Sequence, residues 1–359
     1  MATTPLPFQS EPPGDRLRRR CLTVGVTTVT ALILLALLPF VGLFGTLWGL
    51  LLPKTRFGFL RTFLAATWAV CLELYGLVLL GWGWLVYSGD EEQLGIHTVD
   101  VQTRWTQLHL GALKRLFTLS LSVDGLDCVR PRPTIILMRH TSMLDTVLPP
   151  ALLVPRTAVR MRYVLKRELL MDPCLDVAGN RMPNLFLERR ARGAAADAEL
   201  VAMEELARTM EGNEAVVLFP EGTRASAGKR RRALARLEEQ ALEDPRAERL
   251  LAKALPLRHL LPIRLGGAMA LLRGNPDADI VFVAHTGLEE LAGFRSLVSG
   301  QLVGSVLRLQ FWRPTVERPP PEASEARLED WLLDRWLEVD QAVAELQEDA
   351  ASAPQPHDP

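Results

Sequence analysis

The chain has 359 residues, a formal net charge of −1 and a mean hydropathy of +0.11. That length holds one large catalytic domain with an anchor, or two modest domains; the balanced charge excludes a global field for nucleic acid, and the hydropathy is unusual for a fully soluble protein. Cys21, Cys71, Cys128 and Cys174 never fall at CxxC spacing and the six histidines are scattered, which excludes a disulfide framework and a zinc site and leaves no cofactor or metal to expect.

Residues 1–15 are rich in Pro, Thr and Ser without hydrophobic periodicity and read as a disordered tail. Residues 16–88 read as membrane-anchoring helices. Arg16, Arg18, Arg19 and Arg20 precede a run from Cys21 to Pro53 that contains no charged residue, and between Phe63 and Tyr87 the only charge is Glu73. Both runs exceed the ~20 residues that a spanning helix needs. The first is too long for a signal-peptide core and lacks an A-x-A-like cleavage site. Pro39, Gly42, Gly45 and Gly49 interrupt its second half, which predicts either a kinked spanning helix or a re-entrant hairpin. Basic residues flank that run on both sides (Lys54, Arg56 and Arg61 on the far side). Two spans return the chain to its starting side, and the stronger Arg cluster puts that side in the cytoplasm. The expected location is therefore a membrane: the cytoplasmic membrane of a bacterium or the endoplasmic reticulum membrane of a eukaryote.

Residues 89–349 read as one α/β domain. Strand-like runs occur at 134–138, 162–165, 185–187, 215–219, 280–284 and 306–311. Helical patterns fall between them, most clearly at 194–210, where Leu200, Met203, Leu206 and Met210 recur at helical spacing before Gly212 and Asn213 stop the helix. Alternating strands and helices predict a mixed, mostly parallel sheet flanked by helices. Residues 322–348 read as a terminal amphipathic helix and 350–359 as a loose tail.

His140 follows the strand at 134–138, at a strand-to-helix junction where α/β folds commonly carry catalytic groups. Asp145 is five positions on; in a regular helix the two would be ~140° apart, so a bend at the first turn is needed for the carboxylate to reach the ring. If it does, it fixes the tautomer and supports the charge formed when His140 takes a proton. Phe219-Pro220-Glu221-Gly222-Thr223-Arg224 follows another strand: Pro220 ends it, Gly222 permits a tight turn, and Arg224 suits a phosphate. Glu221 is placed to orient that arginine or to contact an acceptor. Lys166 and Arg189 end two further strands. Three cations at neighbouring strand ends make a pocket for a dianion. Lys229-Arg230-Arg231-Arg232, followed closely by Glu238, Glu239, Glu243 and Asp244, reads as a solvated helical face.

His140-x4-Asp145, Phe186-x-x-Arg189 and Phe219-Pro-Glu-Gly-Thr-Arg224, in this order, resemble the glycerolipid acyltransferase superfamily, most closely the 1-acylglycerol-3-phosphate (lysophosphatidic acid) acyltransferases. Val164-Leu-Lys-Arg-Glu-Leu169 is similar to the segment those enzymes carry between the first two motifs. His259-Leu-Leu-Pro-Ile-Arg-Leu-Gly-Gly267 looks like the fourth motif of a branch with two N-terminal membrane helices. The resemblance implies that His140 deprotonates the 2-hydroxyl of 1-acyl-sn-glycerol 3-phosphate with Asp145 orienting it. The oxygen attacks an acyl thioester of CoA or acyl carrier protein without an acyl-enzyme. Arg189, Glu221, Gly222, Thr223 and Arg224, with Lys166, hold the acceptor's phosphate, and the product is phosphatidic acid. The partners implied are a lysophospholipid, the acyl thioester and the bilayer, and no nucleic acid. Arg139 stands where the family usually has Asn, and is expected either to lower the histidine's pKa or to add to the phosphate site. Residues 228–255 match poorly. Two readings stand beside this one: the same chemistry on another lysophospholipid or on glycerol 3-phosphate, and a catalytically idle membrane scaffold. A serine hydrolase is disfavoured because no G-x-S-x-G elbow is present.

Overall fold

The computed structural model describes residues 11–188, 192–289 and 294–352. Three long helices lead the chain: α1 (Pro13–Leu51), α2 (Gly58–Val86) and α3 (Glu91–Phe117). There follow β1 (Ser120–Asp124), β2 (Thr134–Met138), the short helices α4 (Leu148–Leu152) and α5 (Val154–Thr157), β3 (Arg160–Lys166), α6 (Pro173–Gly179), β4 (Leu185–Leu187), α7 (Ala194–Arg208) and β5 (Glu214–Leu218). Then come α8 (Ala227–Ala241), α9 (Pro245–Ala254), α10 (Leu265–Gly274), β6 (Asp279–Thr286), α11 (Phe294–Val298), β7 (Val306–Trp312) and α12 (Glu325–Ser352). Most of the two expected tails lies outside the described residues. Where they are described, residues 13–15 open α1 and residues 350–352 continue α12.

The seven strands form one sheet in the order β1-β7-β6-β2-β5-β3-β4. β6, β2, β5, β3 and β4 run parallel; β7 is antiparallel to β6 and carries β1 parallel to itself. The mixed, mostly parallel sheet is therefore as expected from the sequence. β2, at its centre, is buried along its whole length. Its side chains alternate between two apolar layers: Ile135 and Leu137 join the layer that includes Met203 of α7, Leu271 of α10 and Trp336 of α12. Ile136 and Met138 join the layer beneath Leu148 and Leu152 of α4.

α1 is one continuous helix of 39 residues with Pro39 inside it, and not a re-entrant hairpin. At ~1.5 Å per residue it is ~58 Å long, against a hydrocarbon core of ~30 Å. α1 and α2 are both long and apolar enough to cross a membrane, and α1 leaves large apolar side chains such as Leu32, Phe40 and Phe44 exposed. Both helices also dock on the sheet domain through α6. Arg19 and Arg20 converge on the buried Asp176, with nitrogen–oxygen distances of 3.0 and 3.1 Å. The lone charge of the second apolar run, Glu73, accepts a hydrogen bond from the Cys174 backbone N–H at 3.2 Å, so it serves the protein and not the lipid. A Cβ on Gly76 would lie 2.6 Å from Cys174 Sγ, so only glycine permits this approach.

Between residues 92 and 134, where the residue pattern marks no element, the structure has α3 and β1. α3 is capped by the Asp90 carboxylate on the Gln93 N–H at 3.0 Å, with Glu91 and Glu92 in its first turn and Lys114 and Arg115 in its last. Its buried face includes Thr98, Val101 and Thr106, so it carries little of the leucine periodicity that marks α7.

Candidate active site

The strand register sets the site. Leu137 of β2 pairs with Leu218 of β5, and Met138 pairs with Val283 of β6. Three residues past the first pair stand His140 and Glu221; two past the second stand His140 and His285. Tyr163 of β3 pairs with Val217, which puts Lys166 on the same carboxyl edge. In parallel α/β sheets that edge is the usual ligand crevice.

Beyond β2 the chain bends at Thr141 and Ser142 and then enters a 3-10 turn, Met143–Thr146, not a regular helix. That is the bend the sequence demands. Ser142 caps the turn by accepting from the Leu144 N–H at 3.0 Å. Asp145 is fully buried, and its Oδ2 accepts from the N–H groups of Thr141 (2.6 Å) and Ser142 (2.8 Å) and from His140 Nδ1 (2.9 Å). A carboxylate only accepts here, so Nδ1 carries the proton and Nε2 is left as a base. The ring packs on Phe219 with centroids 4.6 Å apart.

The turn after β5 is tied to this base. The Ala225 N–H donates to the His140 carbonyl at 2.7 Å, and the Gly222 N–H to the Phe219 carbonyl at 2.9 Å. Gly222 has φ +65°, and a Cβ there would meet Arg264 Cδ at 2.7 Å. The Arg264 side chain therefore lies across this glycine, beside Thr223 and Arg224. Lys229 donates to Thr223 Oγ1 at 2.9 Å and to the Arg224 carbonyl at 2.8 Å. Sequence reasoning does not select Arg264 or Lys229; the signal for Arg264 was its place in the 259–267 segment. That segment is pinned by Asp340 of α12, which accepts from the N–H groups of Arg258 (2.9 Å), His259 (2.8 Å) and Leu260 (2.8 Å).

Glu221 is 2% exposed. Burial pushes its carboxyl well above the usual carboxylate range, the Arg139 charge opposes this, Asp145 adds to it, and the N–H groups of His140 and Leu261 oppose it. Both of its carboxyl oxygens are buried without a hydrogen-bond partner among the described residues, at the wall of the cavity that His140 lines. Arg139 is 3% exposed and is turned away from the cavity. It donates to Glu289 at 2.7 Å and to the His285 carbonyl, so of its two expected roles the addition to the phosphate site is not met. His285 is fully buried. Its Nε2 is 3.1 Å from the Arg139 carbonyl and 3.6 Å from Asp145 Oδ1, and burial lowers its pKa. It thus stands neutral behind Asp145. It sits next to the last residue of β6, and its signal in the sequence is its place directly after the apolar run 280–284.

His140, Lys166, Glu221, Gly222, Thr223 and Arg224 all line one cavity of about 1520 Å³. Arg189 lies outside the described residues. The cavity has a cationic end, lined by Arg224 of the turn and by Arg264, which lies over Gly222. Its apolar arm runs between α2 and α3 and is lined by Trp68, Ala69, Val101, Leu113, Leu144 and Val147. Its volume exceeds the ~300–1,000 Å³ typical of a single small-ligand site. Among the described residues no group of three or more His, Cys, Asp or Glu side chains is placed to hold a metal ion.

Residues 120–284, from β1 into β6, match the acyltransferase family model. The segment from β1 into β6 is thus similar to the acyltransferase family, and it includes His140, Asp145 and the turn at 219–224. A solved structure of similar fold is the 1-acyl-sn-glycerophosphate (LPA) acyltransferase PlsC from Thermotoga maritima. It aligns with a TM-score of 0.52 and 16% identity over 82% of this chain and 97% of that one. Comparison with curated protein sequences finds no match.

Proposed function

We propose that the protein is a membrane-bound 1-acyl-sn-glycerol-3-phosphate acyltransferase, which moves a fatty acyl group from a thioester of CoA or acyl carrier protein to the 2-hydroxyl. The observation that carries this reading is the His140 Nδ1–Asp145 Oδ2 hydrogen bond at 2.9 Å, on a base that lines a cavity with a cationic end and an apolar arm. Arg224 and Arg264, with Lys166, hold the phosphate. The apolar arm takes acyl chain. His140 Nε2 accepts the hydroxyl proton as the oxygen bonds to the thioester carbonyl carbon. Asp145 offsets the charge that forms on the ring. Collapse of the tetrahedral intermediate breaks the carbon–sulfur bond, and the thiolate takes the proton from His140. General-base help of this kind is worth ~10²–10⁴ in rate. α1 and α2 hold the enzyme in the membrane where a lysolipid and its product reside; in a bacterium this is the cytoplasmic membrane, in a eukaryote that of the endoplasmic reticulum.

The test is acyl transfer by membranes containing the protein, with labelled oleoyl-CoA or oleoyl carrier protein and a panel of lysolipids. Phosphatidic acid formed from lysophosphatidic acid is the expected product. Product from another lysolipid alone keeps the chemistry and replaces the acceptor. No product from any pairing sinks the assignment.

A further inference from the structure

Part of the basic run at 229–232 borders the cavity that holds His140. Lys229, Arg232, Ala233, Arg236, Leu237 and Gln240 of α8 line the same cavity as His140. Their spacing of 3, 4, 7, 8 and 11 is that of one helix face. Arg232 and Arg236 are exposed, as are Arg231, Glu238 and Glu239, but the latter three stand off that face and do not line the cavity. The α8 wall is therefore cationic toward the cavity, and the acidic residues that suggested a neutral, solvated helix point elsewhere.

These cations divide by their partners. Lys229 is bound to the Thr223–Arg224 turn. Lys253, across the cavity on α9, is paired with Asp334. Arg232 and Arg236 make no hydrogen bond or ion pair among the described residues. Of the acids that line the cavity, Glu188 pairs with Arg167 at 2.9 Å, and Glu199 accepts from the Glu188 N–H at 2.7 Å. Arg232 and Arg236 lie ~5 and ~10 Å along the helix from Lys229. They form a rail of open guanidinium groups that starts at the acceptor's turn and leads away from it. One phosphate is satisfied by two or three charged donors, and Arg224, Arg264 and Lys166 already supply those.

We propose that Arg232 and Arg236 form a second phosphate-binding site, distinct from the Thr223–Arg224 turn, for a phosphate carried elsewhere on the substrates. Two sources share this chemistry: the nucleotide phosphates of a CoA thioester, and a second phosphate on the acceptor. The inference rests on the acyl-transfer reading.

The experiment compares the full chain in membranes with the double variant Arg232→Ala/Arg236→Ala, and with Arg231→Ala as the control from outside the cavity. It reads equilibrium binding of CoA and of adenosine 3′,5′-bisphosphate, then KM for oleoyl-CoA, for lysophosphatidic acid and for a lysolipid with two phosphates. At least a tenfold loss of CoA and bisphosphate binding, with the lysophosphatidic acid KM within twofold, supports the site and assigns it to the donor. Unchanged CoA binding with a tenfold or greater loss confined to the two-phosphate lysolipid supports the site and assigns it to the acceptor. All values within twofold of wild type, or equal losses in Arg231→Ala, overturn it. CoA binding needs no turnover, so arginine-dependent binding without any acyl transfer would remove the activity and keep the site.

Discussion

His140 and Glu221 stand at the same height on neighbouring strands, each three residues beyond the Leu137–Leu218 pair. The carboxyl of Glu221 is buried against the backbone of His140 and Leu261 and is biased toward its neutral form. Its folded-state pKa is raised above the unfolded value of ~4.3. The folded state therefore binds more protons than the unfolded state above that pH, and stability falls as pH rises. Glu221→Gln, which keeps the shape and removes the ionisation, should be more stable than wild type at pH 8, with the difference vanishing as pH falls to ~4. Thermal unfolding across this range checks it; parallel profiles would show that Glu221 ionises freely in the fold.

Asp145 takes three hydrogen bonds on one oxygen, two from the Thr141 and Ser142 N–H groups just before the 3-10 turn and one from His140. Asp145→Asn keeps a capping acceptor but loses the charge and the tautomer control. It should lower kcat by ~10²-fold or more with a nearly unchanged melting temperature. Asp145→Ala should lose ~1–2 kcal/mol of stability as well. If Asp145→Asn keeps full kcat, the carboxylate is structural only.

Arg224 lines the cavity on the turn whose Thr223 is fixed by Lys229. Removing a charged donor to a phosphate costs ~1.5–3 kcal/mol, so Arg224→Ala should raise the acceptor KM by ~10–100-fold and leave the donor KM nearly unchanged. Steady-state kinetics with each substrate varied separately decides this, and an unaltered acceptor KM would take Arg224 out of the phosphate site.

Asp340, on the last helix, accepts from three successive N–H groups of the segment that leads to Arg264. Asp340→Ala leaves those donors unpaired and should cost ~2–4 kcal/mol, seen as a lower melting temperature. It should also raise the acceptor KM as Arg264 loosens over Gly222. A variant with lowered stability and a wild-type KM would separate Asp340 from the site.

Six of the seven strands, the mixed sheet and the edge that carries the site were legible because parallel strands buried on both faces appear as short apolar runs. β1 and α3 were not legible, since α3 buries threonines among its few aliphatic residues and has no long apolar stripe. The His140–Asp145 contact could be named as a candidate, but its closing depended on a 3-10 turn that helical geometry does not supply. Arg264 and Lys229 reach the Gly222–Arg224 turn from 35 or more residues away and from the next helix, respectively, through packing over Gly222 and a bond to Thr223. Arg139 shows the limit most directly: a cation beside the base in sequence is turned behind it in space, toward Glu289. The arginine cluster at 16–20 was weighed as a topology signal, whereas Arg19 and Arg20 are paired with Asp176.

The most direct test of the account is the initial rate of acyl transfer to lysophosphatidic acid by wild type and His140→Ala at equal amounts of folded protein, with circular dichroism and melting temperature as the check on folding. The account predicts at least a ~10²-fold lower kcat in the variant with an unchanged fold. A folded His140→Ala protein that turns over like wild type would contradict it.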